Sequence, residues 1–402
     1  MKKSIKTFTA ACALALSILF TFQIYYINEL PDSFKIKKGE SLSLSGGLSI
    51  SQETLSGAKD ASENIGSEKV SLNMLGIIPI KSVSLTEIED REVFIGGNVF
   101  GIKIFTKGVM VVGISAVETS KGSICPASDA GIKLGDNIIS VAGKSVSSNE
   151  DVSALIKESS GKSIDIVIWR SDKKKTVKLT PALSKDGDLK AGMWVRDSSA
   201  GIGTMTFSDP ITGVYAGLGH AVCDVDTGET LPLQNGEIVG AKIRSISKSQ
   251  NGKSGSLCGE FDGGRIGSLL ANTEAGIYGV LDSKNQSGKI VKIALKQQIK
   301  EGDAQIYTSI DNTGPKLYDC KIIKIKYNEA HTHNMVIMIT DNELLEKTGG
   351  IVQGMSGSPI IQNGMLIGAV THVFVNDTAK GYAIFAENMY DRSQETISKK
   401  AS

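Results

Sequence analysis

The chain has 402 residues, of which 41% are hydrophobic and 22% are charged. This length exceeds one ordinary hydrophobic core, so we expect two folded domains and an additional segment rather than a disordered or fibrous protein. Forty-four basic residues against forty-three acidic residues give a formal net charge of +1. Because nucleic-acid binding depends on excess positive charge, this balance argues against a nucleic-acid partner.

Residues 1–28 have the composition of a membrane anchor. Lys2, Lys3 and Lys6 precede an uncharged, mostly apolar run over residues 7–27. A helix rises about 1.5 Å per residue, so about 20 residues cross the ~30 Å bilayer core. The run ends in bulky residues, which favours an uncleaved signal anchor over a cleaved signal peptide. The basic flank predicts a cytoplasmic N-terminus, with the rest of the chain across the membrane.

The five cysteines are widely scattered, and no two form a C-x-x-C pair. They are Cys12, Cys125, Cys223, Cys258 and Cys320. Without paired spacing we expect no zinc site and no other metal site. An exported location permits disulfides, but the sequence does not choose among the possible pairings of the last four cysteines. Free thiols are the simpler interpretation.

Residues 29–93 are interpreted as a stalk and extended linker, because Ser, Lys, Glu and Gly dominate until about residue 70. Residues 94–183 predict a small α+β unit. In it a β-branched run at 109–112 reads as a buried strand, and residues 149–159 predict a helix with Asn149 as N-cap. Strands at 164–169 and 176–179 close the unit.

The unit at 94–183 resembles a bacterial, protease-associated PDZ domain. The resemblance rests on Phe100-Gly101-Ile102, on P-A-S-D-A-G-I-K-L-G-D at 126–136 and on the I-I-S-V-A-G-K that follows. It implies that amides near Gly101 and Ile102 hold a peptide C-terminus, which adds as a strand beside Lys103. Two alternatives stay open: the groove is vestigial, or it binds segments of this chain.

After Pro181 the sequence changes to short, glycine-rich, alternating β segments, which predict an all-β domain over residues 184–402. Within it, Gly354-Met355-Ser356-Gly357-Ser358-Pro359 is followed by a hairpin with an Asn-Gly turn. This string resembles the nucleophile loop of trypsin-like proteases. Small residues let Ser356 project from a tight turn, while the amides of Gly354 and Ser356 converge on an oxyanion hole. Ser356 is therefore the candidate nucleophile.

The base must come from four histidines: His220, His331, His333 and His372. His220 ends the second strand of a predicted hairpin, the place where trypsin-like proteases carry their catalytic histidine, and it is our candidate base. His331 and His333 flank a threonine in a turn and are expected to be exposed to solvent. His372 lies on a strand predicted to line the cleft. Contact with substrate is one interpretation, and a packed core histidine is the one we expect.

The third triad member must orient the imidazole of His220. Spacing alone does not choose among the acidic candidates, which include Asp224, Asp226, Asp262, Asp282, Asp303, Asp319 and Asp341.

The stretch from about residue 192 to residue 387 resembles the stage IV sporulation protein B peptidase family. The strings that carry the resemblance are G-L-G-H at 217–220, L-L-E-K-T-G-G-I-V-Q-G-M-S-G-S-P at 344–359 and T-H-V-F-V-N-D at 371–377. It implies an N-terminal transmembrane helix, a PDZ-like domain and an all-β double-barrel serine protease domain. It also implies Asp341 as the triad aspartate. Alternatively, Asp341 caps the helical turn that follows it, and another acid orients His220.

The resemblance further implies an anchored serine endopeptidase that needs no cofactor and works through an acyl-enzyme. Such an enzyme cuts its own N-terminal segment and a regulatory membrane protein between the forespore membranes. That cleavage triggers intramembrane processing of a late sporulation sigma factor. Peptide C-termini bound by the PDZ unit are further expected partners.

Two alternatives remain. A quality-control protease shares both domains, but in it the PDZ unit follows the protease. A PDZ adaptor with an inactive protease fold is disfavoured by the intact loop around Ser356.

Overall fold

The computed structural model describes residues 2–44, 48–52, 67–74, 76–171, 173–328 and 332–401. It begins with a long helix, α1 (Lys2–Glu29). Among the residues whose side chains the structure describes, no helix meets the length and hydropathy of a membrane span. The predicted anchor falls partly on the side chains of residues 1–12, which lie outside that description.

A small four-stranded sheet follows α1, where the sequence indicated a stalk. Its strands are β1 (Ser33–Lys37), β2 (Leu48–Gln52), β3 (Ser67–Met74) and β4 (Ile78–Ile88), in the spatial order β1-β4-β3-β2. Phe34, Leu72 and Val83 are buried in its core. The alternating apolar positions of these strands sit among many serines and lysines, so average composition concealed them.

The next unit is small and mixed. Strand β5 (Glu92–Ile95) leads into it. The elements of the unit are β6 (Val99–Ile114), β7 (Val117–Thr119), β8 (Gly122–Ile124), α2 (Pro126–Asp129), β9 (Asn137–Val141), β10 (Lys144–Ser145), α3 (Asn149–Glu158), β11 (Ile164–Arg170), β12 (Lys173–Leu179), β13 (Ala182–Leu183) and β14 (Leu189–Lys190). The N-cap of α3 is Ser148, one residue before the predicted cap, in a capping box with Asp151. Val152, Leu155 and Ile156 form the buried face of α3.

Six strands close a first barrel. They are β6 together with β15 (Met193–Ser208), β16 (Val214–Gly217), β17 (Leu233–Ser247), β18 (Gly255–Thr273) and β19 (Gly276–Leu281). Pairing runs β6-β17-β18-β19-β16-β15, and β15 pairs again with β6. The short β20 (Ile290–Lys292) pairs with β5 at the edge of this sheet. Short 3-10 helices lie at Ser283–Asn285 and Lys296–Gln298.

A second barrel follows in the chain. Its strands are β21 (Gly302–Thr308), β22 (Lys316–Ile325), β23 (Met335–Ile339), β25 (Pro359–Gln362), β26 (Met365–Phe374) and β27 (Asp377–Phe385). Helix α4 (Asn342–Thr348) and strand β24 (Val352–Gln353) lie in the connection that leads to the Ser356 loop. Helix α5 (Ala386–Ala401) ends the described chain and packs on both barrels.

Strand β6 is shared between the mixed unit and the first barrel. Val109 and Val111 lie in the core of the mixed unit, whereas Phe100, Ile102 and Ile104 lie in the barrel core. Strand β15 behaves in the same way, because its first residues pack against the core of the mixed unit and its last residues belong to the barrel. The two units therefore meet through continuous strands rather than through a linker.

The predicted carboxylate loop of the PDZ unit requires correction. Gly101, Ile102 and Lys103 lie inside β6, where β15 pairs with them on one side and β17 on the other. Since both edges are occupied, no peptide can add as a strand beside Lys103. A Cβ on Gly101 would lie 2.5 Å from the Phe261 ring, so this glycine permits close packing inside the barrel.

Candidate active site

A cleft of about 910 Å³ is lined by residues of both barrels. The first barrel contributes His220, and the second contributes Gly354, Ser356 and Thr371. The histidine motif and the serine motif, which lie far apart in the sequence, therefore meet in one cleft. The structure brings together the candidate nucleophile, base and oxyanion hole.

Close backbone packing shapes the loop around Ser356. Gly354 and Gly357 adopt positive φ angles of 98° and 93°. A Cβ on Gly357 would lie 2.0 Å from the carbonyl oxygen of Thr204 and 2.5 Å from the amide of Leu218. Only glycine fits there, because both the conformation and the space exclude a side chain. The loop therefore lies directly against the turn that leads to His220.

Ser356 presents a half-buried hydroxyl to the cleft. The hydroxyl donates a hydrogen bond to the carbonyl oxygen of Thr371 over 2.8 Å. The amides of Gly354 and Ser356 donate to no acceptor within the described residues, which leaves both N–H groups available for an oxyanion. In this arrangement the Ser356 hydroxyl keeps its proton and uses it in a hydrogen bond to the protein backbone.

His220 follows a strained turn. Leu218 has a φ of 65°, a left-handed conformation that costs a branched residue about 1 kcal/mol or more, and Gly219 follows with a φ of 70°. The Nδ1 atom of His220 lies 2.8 Å from the carbonyl oxygen of Ala221. A carbonyl only accepts hydrogen bonds, so Nδ1 carries the proton and Nε2 presents a lone pair. Burial lowers the pKa of His220, which favours this neutral form.

No hydrogen bond joins His220 to Ser356 in the described part of the chain. The Ser356 hydroxyl must release the Thr371 carbonyl before it can donate its proton to Nε2. Catalytic hydrogen bonds are often long or absent in serine hydrolases without substrate, so the roles proposed for both residues remain compatible with this geometry.

Asp341 requires correction as the orienting acid. Its carboxylate is the N-cap of α4 and accepts from the amide of Leu344 over 2.9 Å. The other carboxylate oxygen accepts from the amide of Asp319 over 3.3 Å. Asp341 does not line the cleft, and His220 instead donates to Ala221. The alternative reading of Asp341 as a helix cap describes this structure.

Another candidate acid is also engaged elsewhere. Asp224 is buried, pairs with Arg196 and accepts from the amides of Asp226 and Thr227. Glu274 does line the cleft, and it is the only carboxylate among the described lining residues. Its side chain is exposed to solvent. The described structure therefore assigns the orienting contact of His220 to a backbone carbonyl.

Three histidines form a cluster at the cleft. The rings of His220 and His372 lie 4.8 Å apart, and those of His372 and His333 lie 5.5 Å apart. His372 is exposed at the cleft rather than packed in the core, so that expectation was wrong. Desolvation of the part that faces the cluster, together with the neighbouring His220 and His333 rings, lowers the pKa of His372 to about 4. His333 packs on Tyr382 rather than projecting freely from a turn, and His331 lies outside the described residues.

The sequence missed several residues that act through the backbone. Thr371 offers its carbonyl to Ser356, Ala221 offers its carbonyl to His220, and Thr204 holds the nucleophile loop. No side-chain pattern identifies a backbone acceptor, so no sequence signal marked the first two. The cysteines that the structure describes, Cys125, Cys223, Cys258 and Cys320, are free thiols.

Comparison with known families gives two matches. The family model described as SpoIVB peptidase S55 matches residues 187–390, which is half of the chain. A PDZ domain model matches residues 123–170. The PDZ match covers α2, α3 and β11 and does not reach residues 101–103.

Solved structures give more distant similarities. The PDZ domain of the SdrC-like protein from Listeria monocytogenes is 22% identical, with 23% of this chain and 90% of that chain covered and a TM-score of 0.18. The HtrA-type protease AlgW with a decapeptide is 15% identical, with 52% of this chain and 54% of that chain covered and a TM-score of 0.31. The active form of the Rv3671c protease from M. tuberculosis is 13% identical, with coverages of 49% and 74% and a TM-score of 0.30. Values below 0.5 do not establish a shared overall fold.

Proposed function

The chain belongs to the SpoIVB peptidase S55 family and is a serine endopeptidase that carries a PDZ domain, and from that premise we propose that Ser356 is its nucleophile and His220 its general base. One observation carries the proposal. The glycine-rich loop of Ser356 packs on the turn of His220 in a single cleft, with two unpaired amides beside the hydroxyl.

The proposed chemistry starts with proton transfer from the Ser356 hydroxyl to Nε2 of His220. The Ser356 oxygen attacks the substrate carbonyl carbon, and the Gly354 and Ser356 amides bind the oxyanion. His220 then returns the proton to the leaving amine, and water hydrolyses the acyl-enzyme by the same route. The Ala221 carbonyl holds Nδ1–H throughout and so fixes the imidazole orientation. No step requires a cofactor.

We propose that peptide partners of the PDZ unit bind beside α3. A groove of about 690 Å³ lies there, lined by Asn149, Val152 and Ile156 of the helix and by residues 189–195. The second half of β6 pairs with β9 and with the start of β15, so strand addition to β6 is blocked. A partner therefore engages the helix face of the groove, or it displaces the start of β15.

We further propose that α1 anchors the enzyme, with its N-terminus in the cytoplasm and the remaining chain across the membrane. On this helix the side chains of Leu14, Leu16 and Phe20 are exposed, with relative exposures of 64%, 66% and 64%. Large apolar side chains with no protein cover favour a lipid environment. Three lysines near the N-terminus support the orientation.

The family membership supports a role in spore formation. We propose that the enzyme releases itself by cleavage of its own N-terminal segment, between α1 and β5. Once released, it cuts a regulatory membrane protein, and that cut permits intramembrane processing of a late sigma factor. The family's name and the proposed anchor support this role.

The test uses the full chain in membranes and compares wild type with Ser356→Ala, His220→Gln and Ser198→Ala. Ser198 is an exposed serine of β15 and serves as the control. A fluorophosphonate should label wild type and Ser198→Ala but neither active-site variant, and mass spectrometry should find self-cleavage fragments only where labelling occurs. Labelling of the Ser356→Ala chain, or fragments from it, would refute Ser356 as the nucleophile.

A further inference from the structure

The recess next to Ser356 restricts which residue can precede the scissile bond. A substrate carbonyl must lie at the Gly354 and Ser356 amides for attack. The residue before that carbonyl then lies between the segment leading into Gly354 and strand β26. Strand β26 is directly beside the nucleophile, because the Gly357 amide donates to Val370 over 2.8 Å and Ser356 donates to Thr371.

This recess has apolar walls. Ile351, Val352 and Val373 line it. The Cδ1 atom of Ile351 lies 2.6 Å from the position that a Cβ on Gly381 would occupy, so Ile351 uses the space left by the missing side chain of that glycine. Ile351 is only 2% exposed, and Val373 is half-buried beside it.

The loop that carries Ile351 is held in place. The Ile351 amide donates to the Thr378 carbonyl over 2.7 Å, and its own carbonyl accepts from the Ser249 hydroxyl over 2.8 Å. The Thr378 hydroxyl donates to the Gly349 carbonyl over 2.8 Å. These bonds fix the backbone of the loop, so a larger substrate side chain cannot push the loop aside without breaking several hydrogen bonds at once.

The charge of the cleft also favours an uncharged residue before the scissile bond. Among the described lining residues there is no lysine or arginine, and Glu274 is the only carboxylate. A charged side chain in an apolar recess without a partner pays a desolvation cost of several kcal/mol. The recess accordingly disfavours both acidic and basic residues before the scissile bond.

Building on the proposed function, we propose that Ile351 and Val373 are specificity-determining residues that restrict the position before the scissile bond to small, uncharged aliphatic side chains such as alanine and valine. A hydrophobic recess distinguishes side chains that differ by one methylene by about tenfold or more. Leucine and phenylalanine, which need still more room, are excluded by contact with Ile351.

Tripeptidyl diphenyl phosphonates that differ only in the residue next to phosphorus test the proposal without a known substrate. The Ser356 oxygen bonds to phosphorus, phenoxide leaves, and His220 takes the serine proton. The full-length wild-type enzyme should react at least tenfold faster with the alanine and valine probes than with the leucine, phenylalanine, lysine and glutamate probes. A preference for large or charged probes would overturn the inference.

Two variants and one control sharpen the test. Ile351→Ala and Val373→Ala each enlarge the recess, and each should raise the ratio of leucine to alanine labelling rates by about tenfold. Because Ile351→Ala removes buried volume, Val373→Ala provides a milder change if the first variant folds poorly. Ile211→Ala is the control, since Ile211 is 91% exposed in the β15–β16 turn and does not line the cleft. An unchanged ratio in both folded variants would overturn the assignment.

Failure of the inference can be separated from failure of the proposed function. If a simple fluorophosphonate labels Ser356 but the alanine and valine probes do not react, Ser356 is still the nucleophile and the specificity proposal is refuted. If the folded wild type reacts with neither reagent class, the proposed nucleophile itself is refuted.

Discussion

The backbone amide of Thr204 donates a hydrogen bond to the carbonyl oxygen of Ser356 over 3.0 Å, so a strand of the first barrel holds the nucleophile loop of the second. The Thr204 hydroxyl also donates to the Gly354 carbonyl over 2.7 Å, and the Thr206 hydroxyl donates to the Gly357 carbonyl over 2.8 Å. Both threonines are buried. The oxyanion hole is therefore positioned by β15 as much as by its own loop.

Replacement of Thr204 by valine should weaken this support. Thr204→Val keeps the volume and the amide but leaves the Gly354 carbonyl without its buried donor, which should lower the free energy of unfolding by about 1–3 kcal/mol. A misplaced Gly354 amide should also slow fluorophosphonate labelling of Ser356 by about tenfold or more. Denaturant titration and labelling rates measure both effects, with Ser198→Ala as an exposed control on the same strand. An unchanged labelling rate would contradict the positioning role.

Substitution of Asp341 separates a helix cap from a triad member. Asparagine caps helices about as well as aspartate, so Asp341→Asn should change stability by only a few tenths of a kcal/mol and leave labelling within about threefold of wild type. Asp341→Ala should cost about 1 kcal/mol of unfolding free energy through loss of the cap. A triad aspartate behaves differently, because its change to asparagine lowers turnover by about 10⁴-fold. A loss of that size in Asp341→Asn would mean that the loops rearrange around His220 during catalysis.

The pH dependence of labelling should follow His220. Burial lowers its pKa below the ordinary value of 6.5. The neutral form is the base, so the labelling rate should fall as the pH is lowered and should reach half of its plateau at a pH below 6.5. A rate profile across pH 4–8 on wild type measures the midpoint. A midpoint at or above pH 6.5 would contradict a buried His220 as the base.

The free energy of unfolding should also decrease as the pH is lowered. The pKa of His220 is lower in the folded chain than in the unfolded chain, and that of His372 is lowered to about 4. Between these folded values and 6.5 the unfolded chain binds more protons, so the free energy of unfolding rises with pH and is lost as the pH falls through this window. Urea titrations at pH 4.5, 5.5 and 7 should show this slope, and His372→Gln should reduce it.

Two glycines on paired strands test the position of β6. Gly101 is enclosed by Phe261 and Val239, whereas a Cβ on its neighbour Gly201 would meet nothing within 4 Å. Gly101→Ala should therefore destabilise the first barrel by about 1–3 kcal/mol through overpacking, and Gly201→Ala should be close to neutral. Thermal unfolding of the two variants compares them directly. Equal stability would favour the loop position that the PDZ resemblance implied for Gly101.

Much of the secondary structure could be predicted from local pattern. The helix predicted over residues 149–159 is α3, and the strands predicted at 164–169 and 176–179 lie within β11 and β12. The long strands β17 and β18 were not predicted, because their exposed residues break the alternation over much of their length. Their pairing partners, distant in the chain, supply what the local sequence lacks.

The candidate site also contains some residues that could be predicted from the sequence and others that could not. Ser356, Gly354 and His220 were predicted because their chemistry requires particular residue types in a recognisable string. Asp341 was misassigned, since an aspartate before a helical turn has the same sequence signature as a cap and as a triad member. The Ala221 and Thr371 carbonyls were missed because any residue supplies a carbonyl. Gly101 was placed in a peptide-binding loop because Phe100-Gly101-Ile102 resembles the loop of a PDZ domain, whereas in this strand the glycine permits close packing.

The continuity of β6 and β15 also governs how the molecule unfolds. Each strand contributes to the core of the PDZ unit at one end and to the first barrel at the other. Because β6 and β15 are shared, unfolding of the PDZ unit disturbs strands that close the barrel. Unfolding of the barrel in turn removes strands that cover the PDZ core. The two bodies should consequently form one cooperative folding unit with a single transition and shared amide-exchange protection. A chain cut between them would therefore yield two incomplete halves.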